Sequence, residues 1–179
     1  MLQRIFQILK VSDLRSKILF VLGAFAIFRL MANIPIPGID ALKLDQFLNQ
    51  NQLFGFLNIF SGGALANLSI VMIGVAPYIT ATIIMQLLTM IFPSLKAMYY
   101  EEGSAGRAKF NRYSRYLTVP LGVLQSYGFL NLLMSQNILP RLGAFDLFTN
   151  VAVITAGSMV LVWIGELITE QKIGNGISL

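Results

Sequence analysis

Neither cysteine nor histidine occurs anywhere in the 179 residues. The first absence removes disulfides, thiolate nucleophiles and thiolate metal sites, and leaves the redox compartment unreadable. The second removes the usual imidazole base and ligand. Charge is scarce as well, at 12% of residues against 56% hydrophobic, with a positive mean hydropathy. That balance excludes a water-soluble globule and points to an integral membrane protein. Hydrolase chemistry within the membrane is disfavoured with it. A serine–histidine pair is impossible, no two carboxylates share mid-membrane depth, and no lysine lies within a span to activate a serine. No catalytic residue, cofactor or metal site is expected.

What the chain has instead is length without charge. From Gln46 to Leu95, between Asp45 and Lys96, no charged residue occurs, far more than the about 20 apolar residues that one helical crossing takes. The two halves of this run differ. Residues 53–70 are broken by Ser61-Gly62-Gly63 and carry Asn58, Asn67 and Ser69, while residues 71–92 are long enough for a full span and hold Pro77. A glycine-broken helix leading into a span reads as re-entrant, and such elements line or close a path through the membrane. Pro77 is expected to free a backbone carbonyl and permit a bend in the second span.

Around this run the hydrophobic pattern predicts an all-α, polytopic transmembrane helix bundle. Residues 1–17 place Leu2, Ile5, Phe6, Leu9 and Leu14 near one helical face, which suits a helix lying on the membrane surface. No small-residue cleavage site follows it, so it is not read as a removed leader. Spans are expected at 18–34, 71–92, 117–134 and 148–169, with Pro35 and Pro37 ending the first. Between them lie an outer segment at 35–52, a cytoplasmic basic loop at 93–116 and an outer link at 135–147. Residues 170–179 form a turn at Gly174-Asn175-Gly176 that opens a fifth span. That span is barely begun at Leu179, so a truncated or split protein is expected.

Lysine and arginine set the orientation. Arg4, Lys10, Arg15, Lys17, Lys96, Arg107, Lys109, Arg112, Arg115 and Lys172 fall on one side of this topology, and Lys43 and Arg141 on the other. Positive residues gather on the cytoplasmic side, which puts the N-terminus, the 93–116 loop and the 170–176 turn there. Arg29 lies inside the first span, about 9 Å of helix from Pro35, and can snorkel outward or meet a polar partner within the bundle. Glu166 sits near the cytoplasmic end of the fourth span, at the opposite depth, so the two are not expected to pair. The stretch Gly103–Tyr116 mixes cations with aromatics, a composition that suits RNA or an acidic protein surface as well as ordinary flanking charge. Gly62, Gly63 and Ala66 suit close helix packing. Val75 and Ile79 share a helical face, a spacing that fits lipid or core packing as well as a pore constriction.

Several collinear motifs narrow these readings: Ile34-Pro35-Ile36-Pro37-Gly38-Ile39-Asp40, Phe60-Ser61-Gly62-Gly63-Ala64-Leu65, Pro77-Tyr78-Ile79, Gln86-Leu87-Leu88-Thr89, Gly103-Ser104-Ala105-Gly106-Arg107, and the long run Trp163 to Ser178. Together they resemble the SecY family of bacterial protein-translocation channels over essentially the whole chain. The resemblance implies one half of a pseudo-symmetric ten-span channel in the cytoplasmic membrane. It implies a plug at Leu57, Asn58, Ile59, Phe60, Ser61, Gly62, Gly63, Ala64, Leu65, Ala66 and Asn67, under the pore from the outer side. Val75, Ile79 and Ile177 would match three members of the pore ring, with Val75 standing where isoleucine is common. Thr80 and Gln125 would match polar residues of a lateral gate through which signal sequences and membrane segments reach lipid. Arg107, Lys109, Arg112 and Arg115 would face the motor SecA or a ribosome. SecE, SecG, translocating polypeptides, membrane lipid and the remaining half of the channel are the other implied partners. Without that half, residues 1–179 are expected to conduct no polypeptide.

The competing class is a secondary transporter of a small solute, which also uses broken helices and midplane sites. It wants polar ligands at mid-depth, and the second span offers mainly Thr80, Thr82 and Gln86.

Overall fold

Helix forms within each of the four expected spans in the computed structural model, which describes residues 12–37, 56, 59, 68–136, 139–172 and 174–177. Among the described residues the continuous helices are, in chain order, α1 (Ser12–Met31), α2 (Ala76–Ile91), α3 (Pro93–Tyr100), α4 (Gly103–Ser135) and α5 (Ala144–Glu170). No strand occurs among the described residues, where the only extended pairing is an isolated antiparallel bridge between Pro35 and Ser69. The all-α expectation therefore holds. α4 and α5 are each long and apolar enough to cross a membrane, while α2 and α3 qualify only as a pair bent by 114°. α1 has 20 residues, a length of about 30 Å that matches the hydrocarbon core, although Arg15, Lys17 and Arg29 lie along it. It begins inside the segment expected on the membrane surface, of which residues 1–11 lie outside the described residues.

Within the expected second span, 71–92, the regular helix is shorter. Residues 70–75 form successive turns, and only at Ala76 does regular helix begin. An apolar run cannot by itself distinguish buried turn from helix, and here two residues decide it. Gly74 takes φ +56°, a conformation that stops a helix from running through it. Pro77 then stands in the first turn of α2, where its missing N–H is harmless and its fixed φ favours a start. Pro77 therefore opens the helix and does not bend it; the bend comes at Phe92. That residue is extended, at φ −106° and ψ 109°, as the residue before a proline is pushed to be.

The 93–116 loop is likewise helical, built from α3 and the first turns of α4 with a short reversal at Glu101–Glu102. A Cβ on Gly106 would overlap the carbonyl oxygen of Met98, so glycine is what lets α3 fold back this closely. Tyr99 then meets Phe110 at a ring-centroid distance of 4.7 Å, and Lys109 reaches Glu102 at 3.5 Å.

α4 organises the bundle, packing against α2, α3 and α5, while α1 packs against α5. Its buried face runs through Gly106, Phe110, Ser114, Thr118, Gly122, Ser126 and Leu130, one residue in every four. Small residues at such spacing let neighbouring helices approach in a membrane, where van der Waals contact replaces the hydrophobic drive. The hydroxyls are satisfied within the helix. Ser114 donates to the Phe110 carbonyl at 3.1 Å, Thr118 to Ser114 at 2.8 Å and Ser126 to Gly122 at 2.6 Å. Ser126 also lies 3.3 Å from the Thr155 hydroxyl of α5.

Candidate functional site

Between α2, α4, α5 and the turn after α5 lies an open cleft of about 880 Å³. α2 contributes Tyr78, Ile79, Thr82 and Gln86; the turn contributes Gly174, Asn175 and Ile177. Ile79 is 46% exposed, apolar, and aimed at space. The wall formed by α4 and α5 is charged: Arg115 Nη1 lies 2.9 Å from Glu166 Oε2, with the side chains 43% and 23% exposed. Pairing spares both helices an isolated charge near the membrane, where a lone ion is costly. Arg29 and Glu166 were not expected to pair, and the structure gives Glu166 to Arg115. Arg115 is thus a cleft residue, whereas Arg107, Lys109 and Arg112 are exposed at the start of α4.

The turn that carries Ile177 is anchored on α5. Thr169 accepts from the Gly176 amide at 2.9 Å while donating to the Gly165 carbonyl at 2.8 Å. The Asn175 side-chain oxygen accepts from the Ile177 amide at 3.1 Å, the local turn that asparagine commonly makes. A Cβ on Gly176 would overlap the Gly165 carbonyl oxygen, and one on Gly165 would come within 2.9 Å of Ile177 Cγ1. Two glycines therefore permit the approach that puts Ile177 beside the cleft.

Of the three expected ring residues, the structure brings Ile79 and Ile177 to one cleft. Val75 precedes α2, with its carbonyl accepting from the Tyr78 amide at 3.0 Å and the Ile79 amide at 3.1 Å. It packs against the cluster of Ala32, Val71 and Leu161, off the cleft lining. The two expected gate residues meet directly, Gln125 Nε2 donating to Thr80 Oγ1 at 3.3 Å. Thr80 in turn donates to the Ala76 carbonyl at 2.9 Å. Of the expected plug, Ile59 is helical and exposed. Leu57, Asn58, Phe60, Ser61, Gly62, Gly63, Ala64, Leu65, Ala66 and Asn67 lie outside the described residues.

Three features escaped the sequence reading: the one-in-four small-residue face of α4, the Arg115–Glu166 pair, and a cradle on α5 for the turns before α2. In that cradle a Cβ on Gly157 would overlap the Ile70 carbonyl oxygen, and Ser158 donates to the Gly74 carbonyl at 2.7 Å. The α4 repeat was open to counting; the other two join residues too far apart in sequence for spacing to show them.

A family model described as SecY matches residues 69–179, well over half of the chain. The chain belongs to the SecY family. Among curated relatives, protein translocase subunit SecY of Streptomyces scabiei is 46% identical over 184 residues, covering 95% of this chain. The proteins of the same name from Haemophilus influenzae and Synechocystis are 43% and 42% identical, covering 94% and 97% of it. The chain spans 42% of the Streptomyces scabiei protein and 39% of the other two. Family and apolar helices together make this a membrane protein of a protein-translocation family.

Proposed function

We propose that this chain supplies part of the pore-forming subunit of the Sec translocon, which passes unfolded secretory polypeptides across the bacterial cytoplasmic membrane and releases membrane segments sideways into lipid. The observation that carries the reading is that Ile79 and Ile177, remote in sequence, face one cleft in a SecY-family chain. Apolar side chains at a constriction dewet it against ions and yield to a sliding chain, because neither is held by fixed charge. Val75 sits one turn before Ile79 and joins the ring when the path is complete. The Thr80–Gln125 contact supports a polar flank to a lateral gate. Residues 57–67 act as the plug.

The ten-to-two distribution of cations supports a cytoplasmic N-terminus and a cytoplasmic α3–α4 hairpin. SecA or a ribosome docks there on the exposed Arg107, Lys109 and Arg112, while Arg115 faces the cleft beside Glu166. SecE, SecG and the remaining half of the channel complete the assembly. The test is reconstitution of a complete channel carrying this chain, with SecA and ATP. It is expected to import an unfolded secretory precursor into vesicles, unchanged by Gln86→Ala. Saturable small-solute uptake that falls with Thr80→Ala or Gln86→Ala, without precursor import, would instead establish a transporter.

A further inference from the structure

We infer that Ser158 of α5 is a positioning residue for the constriction, holding Val75 and the start of α2 through the Gly74 carbonyl; this rests on the pore reading above. The turns at residues 70–75 are irregular backbone inside a membrane protein, where every carbonyl needs a donor. Several carbonyls here find one locally. Ser69 accepts from Met72, Val71 from Gly74, Ile73 from Ala76, and Val75 from Tyr78 and Ile79.

Gly74 has no local amide donor, and the cause is Pro77. The residue three positions on is a proline, which has no N–H, and the next amide, Tyr78, is spent on Val75 at 3.0 Å. The donor comes instead from Ser158, 84 residues away, at 2.7 Å. Serine and threonine inside a helix ordinarily bond the carbonyl of their own preceding turn. Ser114, Thr118, Ser126 and Thr155 all do so here. Ser158, 1% exposed, reaches across to another segment. Its neighbour Gly157 makes the reach possible by admitting the Ile70 carbonyl against α5. Because Gly74 sits at φ +56° directly before Val75, the direction of its carbonyl sets where Val75 stands and where α2 begins.

The chain's lack of cysteine supplies a clean probe. In a complete channel carrying this chain, Val75→Cys places a single thiol in residues 1–179. The rate at which a membrane-impermeant maleimide labels it in the resting state reads how well the constriction holds that position. Ser158→Ala is expected to raise the rate about five-fold, the population change that loss of one buried hydrogen bond supplies, and Ser158→Thr is expected to restore it. Adding Pro77→Ala to Ser158→Ala is expected to lower the rate again, because an amide at residue 77 gives Gly74 a local donor. Should Ser158→Ala accumulate poorly, the same Pro77→Ala change is expected to restore its accumulation. Labelling in normally accumulating Ser158→Ala that equals the parent, or no rescue by Pro77→Ala of whichever defect appears, overturns the inference. Ile79→Gly run in parallel separates the two layers. Unchanged ion conductance there sinks the pore reading, whereas a leak there with unchanged labelling in Ser158→Ala sinks this inference alone.

Discussion

Gly157→Leu is expected to prevent assembly of the bundle, and Gly157→Ala to weaken it severely. The added carbon falls on the carbonyl oxygen of Ile70, with the Ile70 carbonyl carbon at 2.9 Å. What must move is backbone, held by the Ile34 carbonyl through the Ile70 amide at 3.0 Å. Core overpacking commonly costs about 1–3 kcal/mol, and an unyielding backbone neighbour puts Gly157→Ala at the upper end, about 3 kcal/mol. Gly128 provides the control, because a Cβ there meets nothing within 4 Å. Gly128→Ala should stabilise α4 slightly, since alanine outranks glycine in a helix by about 1 kcal/mol. Thermal unfolding in detergent and protease resistance of the inserted protein measure both. Equal behaviour of the two alanine variants would remove the cradle from the account.

Ile79→Gly in a complete channel is expected to leak ions and to admit precursors with weakened signal sequences. The reasoning is geometric. Ile79 is a partly exposed apolar side chain facing the cleft that also holds Ile177, and deleting it widens the gap and lets it wet. Glycine also costs a helix about 1 kcal/mol relative to alanine, so a comparison residue is needed. Ile83 lies one turn on, is similarly exposed and does not line the cleft. Ile83→Gly carries the same helical penalty and should leave resting conductance unchanged. A leak in both variants, or in neither, would take Ile79 out of the ring.

The helices were legible because their cause is local: long apolar runs, and the prolines at 35 and 93 that mark boundaries. The boundaries themselves were less so. Residues 71–75 are as apolar as α2, and nothing in their pattern says that Gly74 adopts a positive φ or that Pro77 is a beginning. The 93–116 stretch reads as loop because charge and glycine crowd it. Yet Gly106 is there for a helix crossing under Met98, a contact that exists only once α3 folds back. The candidate site divides in the same way. Thr80 and Gln125 were grouped by family resemblance, not by spacing, since they stand on different helices; that they touch is seen only in the structure. Arg115–Glu166 and Ser158–Gly74 had no sequence signal, because each joins residues that only the packing of α5 brings together.

The central claim is that Ile79 faces a path taken by a moving polypeptide. A photo-reactive residue at position 79 of a complete channel carrying this chain, with a precursor stalled by a folded domain, tests it most directly. Crosslinks should form between position 79 and the precursor, and none from position 162, where Val162 is buried on α5. Absence of the crosslink at 79 while the precursor is demonstrably trapped would contradict the account.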